Sequence, residues 1–224
     1  MSGQAPGLNA PARVWKGIMS KVYLYAATAA LSAIILGTMG YVYLSQGGDN
    51  QFAQCQSGQA GADIGGPFTL VNGQGQSVSE KDVITKPTLV YFGYTFCPDV
   101  CPLDMSRNAE VADILEEQGL DLGLVFISVD PARDTPEIAA EYAEAHREGA
   151  IGLSGSAEQV AAAAKAYRVY YKAHPDQDPE YYPVDHSNFS YLMLPKQGFV
   201  DFYRGDASAE SVAASASCMI EAAG

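Results

Sequence analysis

Two cysteines at the end of an apolar, strand-like segment constrain this chain more than any other feature. Residues 88–92 (TLVYF) form a continuous apolar run, typical of a strand covered on both faces. Cys97 and Cys101 follow this run, within residues 91–102 (YFGYTFCPDVCP). We expect Cys97 in the turn after the strand and Cys101 one helical turn later, so that both sulfurs face one side. Such a pair can exchange electrons as a disulfide or bind a soft metal ion.

The pattern of the other segments predicts an α/β domain. Two buried strands that bracket a helix form a βαβ unit with parallel strands. The order of elements is that of a thioredoxin-like fold with peroxiredoxin-like insertions, in which chemistry gathers at the carboxyl ends of the strands. The predicted elements are a hairpin over 68–76, strands over 88–92 and 122–129, helices over 103–118, 135–147 and 157–167, a polar loop over 174–185, a strand hairpin over 189–194 and 199–203, and a last helix over 209–221.

One segment near the N-terminus is long and apolar enough to cross a membrane. Residues 22–44 carry no charge, and at ~1.5 Å per residue a helix of this length spans ~34 Å. We therefore predict a single transmembrane helix. A cleaved signal peptide is the alternative, but the apolar run exceeds a typical signal core. Arg13, Lys16 and Lys21 precede the segment and Asp49 is the first charge after it, so the positive-inside rule places the N-terminus in the cytoplasm.

These features predict four regions: a cytoplasmic segment 1–21, the transmembrane helix 22–44, a Gly/Gln-rich tether 45–62 and a thioredoxin-like domain 63–224. In a bacterium the domain would lie in the periplasm, anchored in the inner membrane. A mitochondrial inner-membrane location shares this topology, but residues 1–12 carry no Lys or Arg, as a presequence would. Beyond the helix, 10 basic residues stand against 26 acidic ones, a formal charge of −16 that argues against nucleic acid as a partner.

The chemistry of the cysteine pair favours a soft metal without excluding redox chemistry. A helix N-terminus lowers the pKa of a nearby thiol, which helps a nucleophile and a metal ligand alike. Three residues separate Cys97 from Cys101, a looser spacing than the two of common dithiol oxidoreductases, although a disulfide can still close. Two thiolates favour Cu(I) or Zn(II). Structural zinc usually takes four ligands, whereas copper can be satisfied by three.

A third ligand would have to come from one of three histidines. His146, in an acidic predicted helix, and His174, in the polar loop, are expected at the surface. His186 stands beside Asp185 before the predicted strand 189–194, where a loop could bend over the cysteines. Taken alone, a histidine in that position is more often a hydrogen-bonded structural residue, so the residues themselves leave its role open.

Three motifs, in order, resemble the Sco/SenC family: residues 91–102, residues 128–137 (SVDPARDTPE) and residues 184–187 (VDHS). The resemblance covers about residues 63–221. Members of this family are membrane-anchored copper proteins that help assemble cytochrome c oxidase. The resemblance implies that Cys97, Cys101 and His186 bind copper, as Cu(I) and also as Cu(II). It further implies delivery of copper to the dinuclear copper centre of oxidase subunit II, or reduction of that centre's cysteines, with other copper chaperones as further partners.

A thiol-disulfide oxidoreductase or redox sensor is the alternative from a different class. In that hypothesis Cys97 attacks, Cys101 resolves, and His186 only tunes the thiolate. The sequence does not separate this function from copper transfer, and one protein could perform both. A peroxidase, suggested by the insertions in the fold, is a third hypothesis.

Several residues near the motifs are expected to be structural. Asp130, Arg133 and Asp134 are predicted to form an ion-pair and capping network that fixes the loop beside the cysteines. Met105 and Met193 are soft donors, but methionine on a helix face or in an apolar strand is more often part of the core.

The remaining cysteines, Cys55 and Cys218, lie outside the metal motif that the resemblance implies. One falls in the tether and the other in the last helix, both on the exported side, where disulfides are permitted. A disulfide that pins the tether to the C-terminus and two independent thiols both remain open.

Overall fold

The chain divides into two compact units, residues 1–50 and residues 51–224. The computed structural model describes residues 12–45, 52, 54–55, 64–176, 178 and 180–224. Most of the predicted tether and half of the predicted cytoplasmic segment therefore lie outside the described residues.

The first unit contains one long helix, α1 (Ala12–Ser45). Its segment Tyr23–Tyr41 is long and apolar enough to cross a membrane. None of this segment is buried within the protein, which leaves its apolar side chains available to lipid. The helix is therefore a candidate membrane anchor, as predicted.

The second unit is built on a seven-stranded mixed sheet with the strand order β2-β1-β5-β4-β3-β8-β9. Strands β3, β4 and β5 are parallel, and the pairs that flank them are antiparallel. Its elements are β1 (Thr69–Asn72), β2 (Ser77–Ser79), α2 (Glu80–Val83), β3 (Thr88–Gly93), α3 (Val100–Glu117), β4 (Gly123–Ser128), α4 (Pro136–His146), β5 (Ile151–Ser154), α5 (Ala157–Ala166), β6 (Tyr171–Ala173), β7 (Val184–His186), β8 (Phe189–Leu194), β9 (Gly198–Arg204) and α6 (Ala209–Ala223).

The centre of the sheet confirms the predicted βαβ unit. All six residues of β3 are buried, as the continuous apolar run predicts. Strand β4 runs parallel to β3 in a register that pairs Thr88 with Gly123 and Gly93 with Ser128. The carboxyl ends of both strands therefore lie side by side, where the cysteine turn and the 128–137 loop begin.

Strand β5 was not predicted from the sequence. It is only four residues long, and Gly152 interrupts its apolar pattern. The glycine is required because a Cβ at this position would collide with the backbone of Ala139 in α4. Helix α4 packs so closely on β5 that only glycine fits at position 152. The strand therefore lacks the apolar side chain by which the sequence pattern would have revealed it.

The predicted polar loop over 174–185 is wrong at its C-terminal end, because Val184 and Asp185 belong to β7. This strand pairs with β6 in a separate two-stranded sheet, with Tyr171 opposite His186. His186 therefore ends a strand of its own hairpin, three residues before β8 begins.

A disulfide joins Cys55 to Cys218, with the two Cα atoms 5.5 Å apart. The Ser215 hydroxyl donates a hydrogen bond to the Cys55 carbonyl oxygen at 3.1 Å. Both contacts fix Cys55 on α6. Of the two alternatives left open by the sequence, the structure therefore contains the disulfide and not two independent thiols.

Candidate metal centre

The two cysteines lie at the junction of β3 and α3, as predicted. Helix α3 begins at Val100 rather than at 103, so that Cys101 stands in its first turn. Pro102 does not prevent this start, because N–H groups in the first turn have no partner within the helix. The Cys97 sulfur accepts a hydrogen bond from the Cys101 N–H at 3.3 Å, which holds Cys97 over the start of the helix.

His186 reaches the cysteines from β7. Its Nε2 lies 3.3 Å from the Cys101 sulfur, and the ligand atoms of Cys97, Cys101 and His186 all lie within 4.8 Å of one another. Among the described residues, this is the one group of three Cys, His, Asp or Glu side chains with donor atoms close enough to share a metal ion.

The orientation of the His186 ring suits a metal ligand. Its Nδ1 lies 3.0 Å from the Ser187 carbonyl oxygen, which can only accept a hydrogen bond, so Nδ1 carries the proton. Nε2 is then left with its lone pair directed at the cysteine sulfurs. A backbone carbonyl that fixes the tautomer in this way is the usual support of a metal-binding imidazole.

The two thiols differ in proton affinity. A hydrogen bond from the Cys101 thiol, together with the N–H groups of Cys101 and Asp99, lowers the pKa of Cys97 to about 4. The pKa of Cys101 is raised, because the neighbouring Cys97 sulfur holds its proton in place and because the thiol is buried. The reduced pair is therefore a half-buried thiolate beside a buried thiol.

Gly93 leaves room for the Cys101 sulfur, and the sequence motifs gave it no role. A Cβ at this position would lie 2.9 Å from the Cys101 Sγ and 2.8 Å from a ring carbon of Tyr91. The signal was present in the sequence as a glycine that ends a fully buried strand just before the cysteines.

A buried polar cluster of Tyr91, Asp104 and Arg107 packs beside the site, and the sequence motifs gave it no role. The Tyr91 hydroxyl donates a hydrogen bond to Asp104 at 3.0 Å, and Arg107 lies 3.3 Å from the same carboxylate. Burial raises the pKa of Asp104, and Arg107 opposes this effect. The Tyr91 ring also meets the His186 ring edge-on, with centroids 6.3 Å apart.

The 128–137 loop forms the predicted network. Asp134 accepts hydrogen bonds from the Thr95 N–H at 2.9 Å, from the Thr95 hydroxyl at 2.5 Å and from the Ser128 hydroxyl at 2.6 Å. Asp130 forms an ion pair with Arg133. The loop thereby fixes the turn that leads into Cys97.

The other histidines and the two methionines considered as ligands do not belong to the group formed by Cys97, Cys101 and His186. His146 Nδ1 bonds the Tyr142 carbonyl oxygen at 2.8 Å, and His174 Nε2 lies 2.8 Å from Asp185. Both histidines are partly buried rather than fully exposed. Met105 and Met193 are buried in the core, as expected.

Comparison with known proteins identifies close relatives. The SCO1/SenC family profile matches residues 56–221. Protein SenC of Rhodobacter capsulatus is 49% identical over 207 residues, which cover 92% of this chain and 93% of that protein. The mitochondrial SCO1 homolog 1 of Arabidopsis thaliana is 41% identical over 81% of this chain, but the match spans only 54% of that protein.

The solved structure of Arabidopsis thaliana ScoI with copper bound has the same fold. It aligns with a TM-score of 0.65 and 40% sequence identity, over 71% of this chain and 98% of that chain. The match confirms the predicted thioredoxin-like α/β class.

Proposed function

This chain belongs to the SCO1/SenC family, and we propose that it is a membrane-anchored copper carrier that holds the ion with Cys97, Cys101 and His186. The observation that carries the proposal is the convergence of two soft sulfur donors and one imidazole nitrogen within 4.8 Å. The Arabidopsis relative that was solved with copper bound supports the identity of the ion.

The donor set suits Cu(I) in particular. Two sulfurs and one imidazole nitrogen form a soft site of low coordination number. Copper binding displaces the proton that Cys101 retains in the reduced pair, because a thiol must lose its proton to become a ligand. The half-buried Cys97 sulfur and His186 ring remain accessible to an incoming donor, so a partner can remove the ion by exchanging one ligand at a time. The same three donors also accommodate Cu(II).

The acceptor we propose is the dinuclear copper centre of cytochrome c oxidase subunit II, with another copper chaperone as the upstream donor. The domain would then lie on the periplasmic face of a bacterial inner membrane, a location that the candidate anchor α1 and the positive-inside rule support. A carrier held at the membrane would meet a membrane-bound acceptor without having to diffuse through the whole compartment.

The asymmetry of the thiols favours a second candidate, a thiol-disulfide oxidoreductase. The Cys97 thiolate would attack a target disulfide and form a mixed disulfide, with one target sulfur leaving as a thiolate. After losing its proton, Cys101 would attack the Cys97 sulfur and release the reduced target, leaving a Cys97–Cys101 disulfide. The low pKa of Cys97 and the buried second thiol fit these roles.

A Cu(I) titration of the full chain in detergent, against a competing chelator, separates the two functions. We expect one ion per chain, with an affinity that falls at least roughly tenfold in His186→Ala, since that change removes a ligand rather than a supporting group. His146→Ala, which alters a histidine bonded to its own helix, is the matched control and should bind as the wild type does. An unchanged affinity and stoichiometry in His186→Ala, with persistent reduction of a target disulfide, would establish the oxidoreductase instead.

A further inference from the structure

The position of His186 depends on contacts outside its own hairpin. Strands β6 and β7 form a two-stranded sheet that is separate from the seven-stranded sheet of the described structure. A two-stranded hairpin is at best marginally stable by itself in water. Something must therefore hold this hairpin against the cysteine turn if the three ligand atoms are to stay together.

Arg133 contacts both parts of the site at once. Its guanidinium carbon lies 3.6 Å from the centre of the Tyr182 ring, in the segment between β6 and β7. It also lies 4.8 Å from the Phe96 ring and 5.7 Å from the Tyr94 ring, both in the cysteine turn. The planar guanidinium thus contacts aromatic rings of the cysteine turn and of the β6–β7 hairpin, in the arrangement of a cation–π contact. The cysteine turn contains Cys97, and the hairpin carries His186.

Hydrogen bonds also link Arg133 to the segment between β6 and β7. Arg133 Nη1 donates to the Glu180 carbonyl oxygen at 3.3 Å, again within the segment between β6 and β7. Its Nε pairs with one carboxylate oxygen of Asp130, and the Tyr182 hydroxyl donates to the other at 2.8 Å. The Asp130 side chain is 3% exposed and the Arg133 side chain 11%, so water competes little for the contacts that Asp130 makes.

We propose that Arg133 is a positioning residue that holds the β6–β7 hairpin, and with it His186, against the cysteine turn before copper arrives. The inference rests on the proposed copper site and adds a residue that binds no copper itself. Lysine would not replace it, because only the planar guanidinium can stack on Tyr182 while donating to both Asp130 and Glu180. A preassembled third ligand raises affinity because the ordering of the hairpin precedes binding.

Arg133→Lys tests the proposal in the full chain in detergent. The variant keeps a positive charge beside the buried Asp130 but loses the stacked plane and the contact with Glu180. We expect the affinity for Cu(I) to fall about tenfold, which corresponds to about 1.4 kcal/mol. Arg147→Lys is the matched control, because Arg147 pairs with Asp113 and Glu116 and does not belong to the site.

A double-mutant cycle shows whether Arg133 acts through His186. In a His186→Ala background, Arg133→Lys should cause no further loss of Cu(I) affinity, because the ligand that the hairpin positions is already absent. An equal loss in both backgrounds would overturn the proposal, since a general structural effect would not depend on His186.

Amide hydrogen exchange of the copper-free protein provides a readout that needs no copper. The His174 and Ser187 N–H groups bond to Pro183 and Tyr170 within the hairpin. In Arg133→Lys we expect both to exchange faster, while the amides of β3 exchange at the wild-type rate. Unchanged exchange in the hairpin would overturn the proposal, whatever the copper affinity.

Tyr182→Phe covers the case in which Arg133→Lys destabilises the whole domain and exchange also accelerates in β3. This variant removes only the hydroxyl that bonds Asp130 and keeps the ring on the guanidinium. It should accelerate amide exchange in the hairpin and lower Cu(I) affinity by a smaller factor than Arg133→Lys does. Wild-type exchange together with wild-type affinity would contradict the proposed role of Arg133. Failure of the proposed function would show differently, as a wild type whose copper binding does not respond to His186→Ala.

Discussion

The two thiols of the candidate centre have different surroundings, and this difference determines how the site reacts. Cys97 is half-buried and receives backbone and thiol hydrogen bonds, whereas Cys101 is buried beside Gly93 and Tyr91. A negative charge is therefore stabilised on Cys97 and disfavoured on Cys101. An incoming ion or electrophile meets the Cys97 thiolate first, and Cys101 follows once its proton leaves.

Alkylation with iodoacetamide tests this asymmetry in the reduced, copper-free protein. The thiolate is the reactive form and predominates above the pKa, so a pKa of about 4 keeps Cys97 reactive down to about pH 4. Cys101 should remain largely unmodified over the same range. Peptide mass mapping over a pH series measures both. Preferential labelling of Cys101, or a Cys97 rate that already falls between pH 9 and 8, would contradict the assignment.

Gly93→Ala tests how closely the site is packed. The new methyl group would lie 2.9 Å from the Cys101 sulfur and must displace it or the Tyr91 ring. We expect the free energy of unfolding to fall by about 1–3 kcal/mol, typical of overpacking, and Cu(I) affinity to fall as well. Gly155→Ala is the control, because its methyl group would meet the Gln159 side chain rather than a residue of the site. Wild-type copper binding by Gly93→Ala would show that the sulfur has more room than the structure gives it.

At the scale of elements, the site is an assembly of three segments that meet at the end of β3. The cysteine turn joins β3 to α3, the 128–137 loop follows β4, and the β6–β7 hairpin brings His186. Asp134 connects the first two, since it accepts hydrogen bonds from Thr95 and Ser128 while buried.

Asp134→Asn should loosen the cysteine turn. The carboxylate accepts three hydrogen bonds, and the amide nitrogen of asparagine cannot accept any of them. We expect the free energy of unfolding, measured by urea denaturation, to fall by about 1–3 kcal/mol for the donors left unpaired. Asp121→Asn, at an exposed ion pair with Lys86, should change it by less than about 0.5 kcal/mol. Equal effects of the two substitutions would remove Asp134 from this role.

The sequence predicted those parts of the site that local patterns encode. The buried strand β3 followed from an unbroken apolar run, and the three side chains that converge at its end were singled out by motifs that resemble a known family. The β6–β7 hairpin was missed because each strand is three residues long, too short for an alternating pattern. The stacking of Arg133 on Tyr182 joins positions far apart in the chain. No local pattern could have revealed it, because it depends on how the hairpin folds back over the cysteine turn.

For the molecule as a whole, the Cys55–Cys218 disulfide links residues 163 positions apart. It ties the segment before β1 to the last helix, and thereby closes almost the entire domain into one loop. Such a bridge stabilises the fold mainly by restricting the unfolded chain. Because the bridge does not include the candidate metal ligands, the fold and the site can be tested separately.

The double variant Cys55→Ser/Cys218→Ser should lower the free energy of unfolding by up to ~4–5 kcal/mol in the chain-entropy treatment, as measured by urea denaturation without reductant. Copper stoichiometry should stay at one ion per chain. The reciprocal variant Cys97→Ser/Cys101→Ser should lose copper and retain the disulfide in non-reducing peptide maps. A bridge variant as stable as the wild type would contradict the stabilising role.

X-ray absorption of the Cu(I)-loaded full chain tests the central claim most directly, because it identifies the atoms bound to the ion. We predict a first shell of two sulfurs and one imidazole nitrogen, and the loss of the nitrogen in His186→Ala. A shell made of sulfur alone in the wild type, or a nitrogen signal that survives in His186→Ala, would contradict the claim that Cys97, Cys101 and His186 together hold one copper ion.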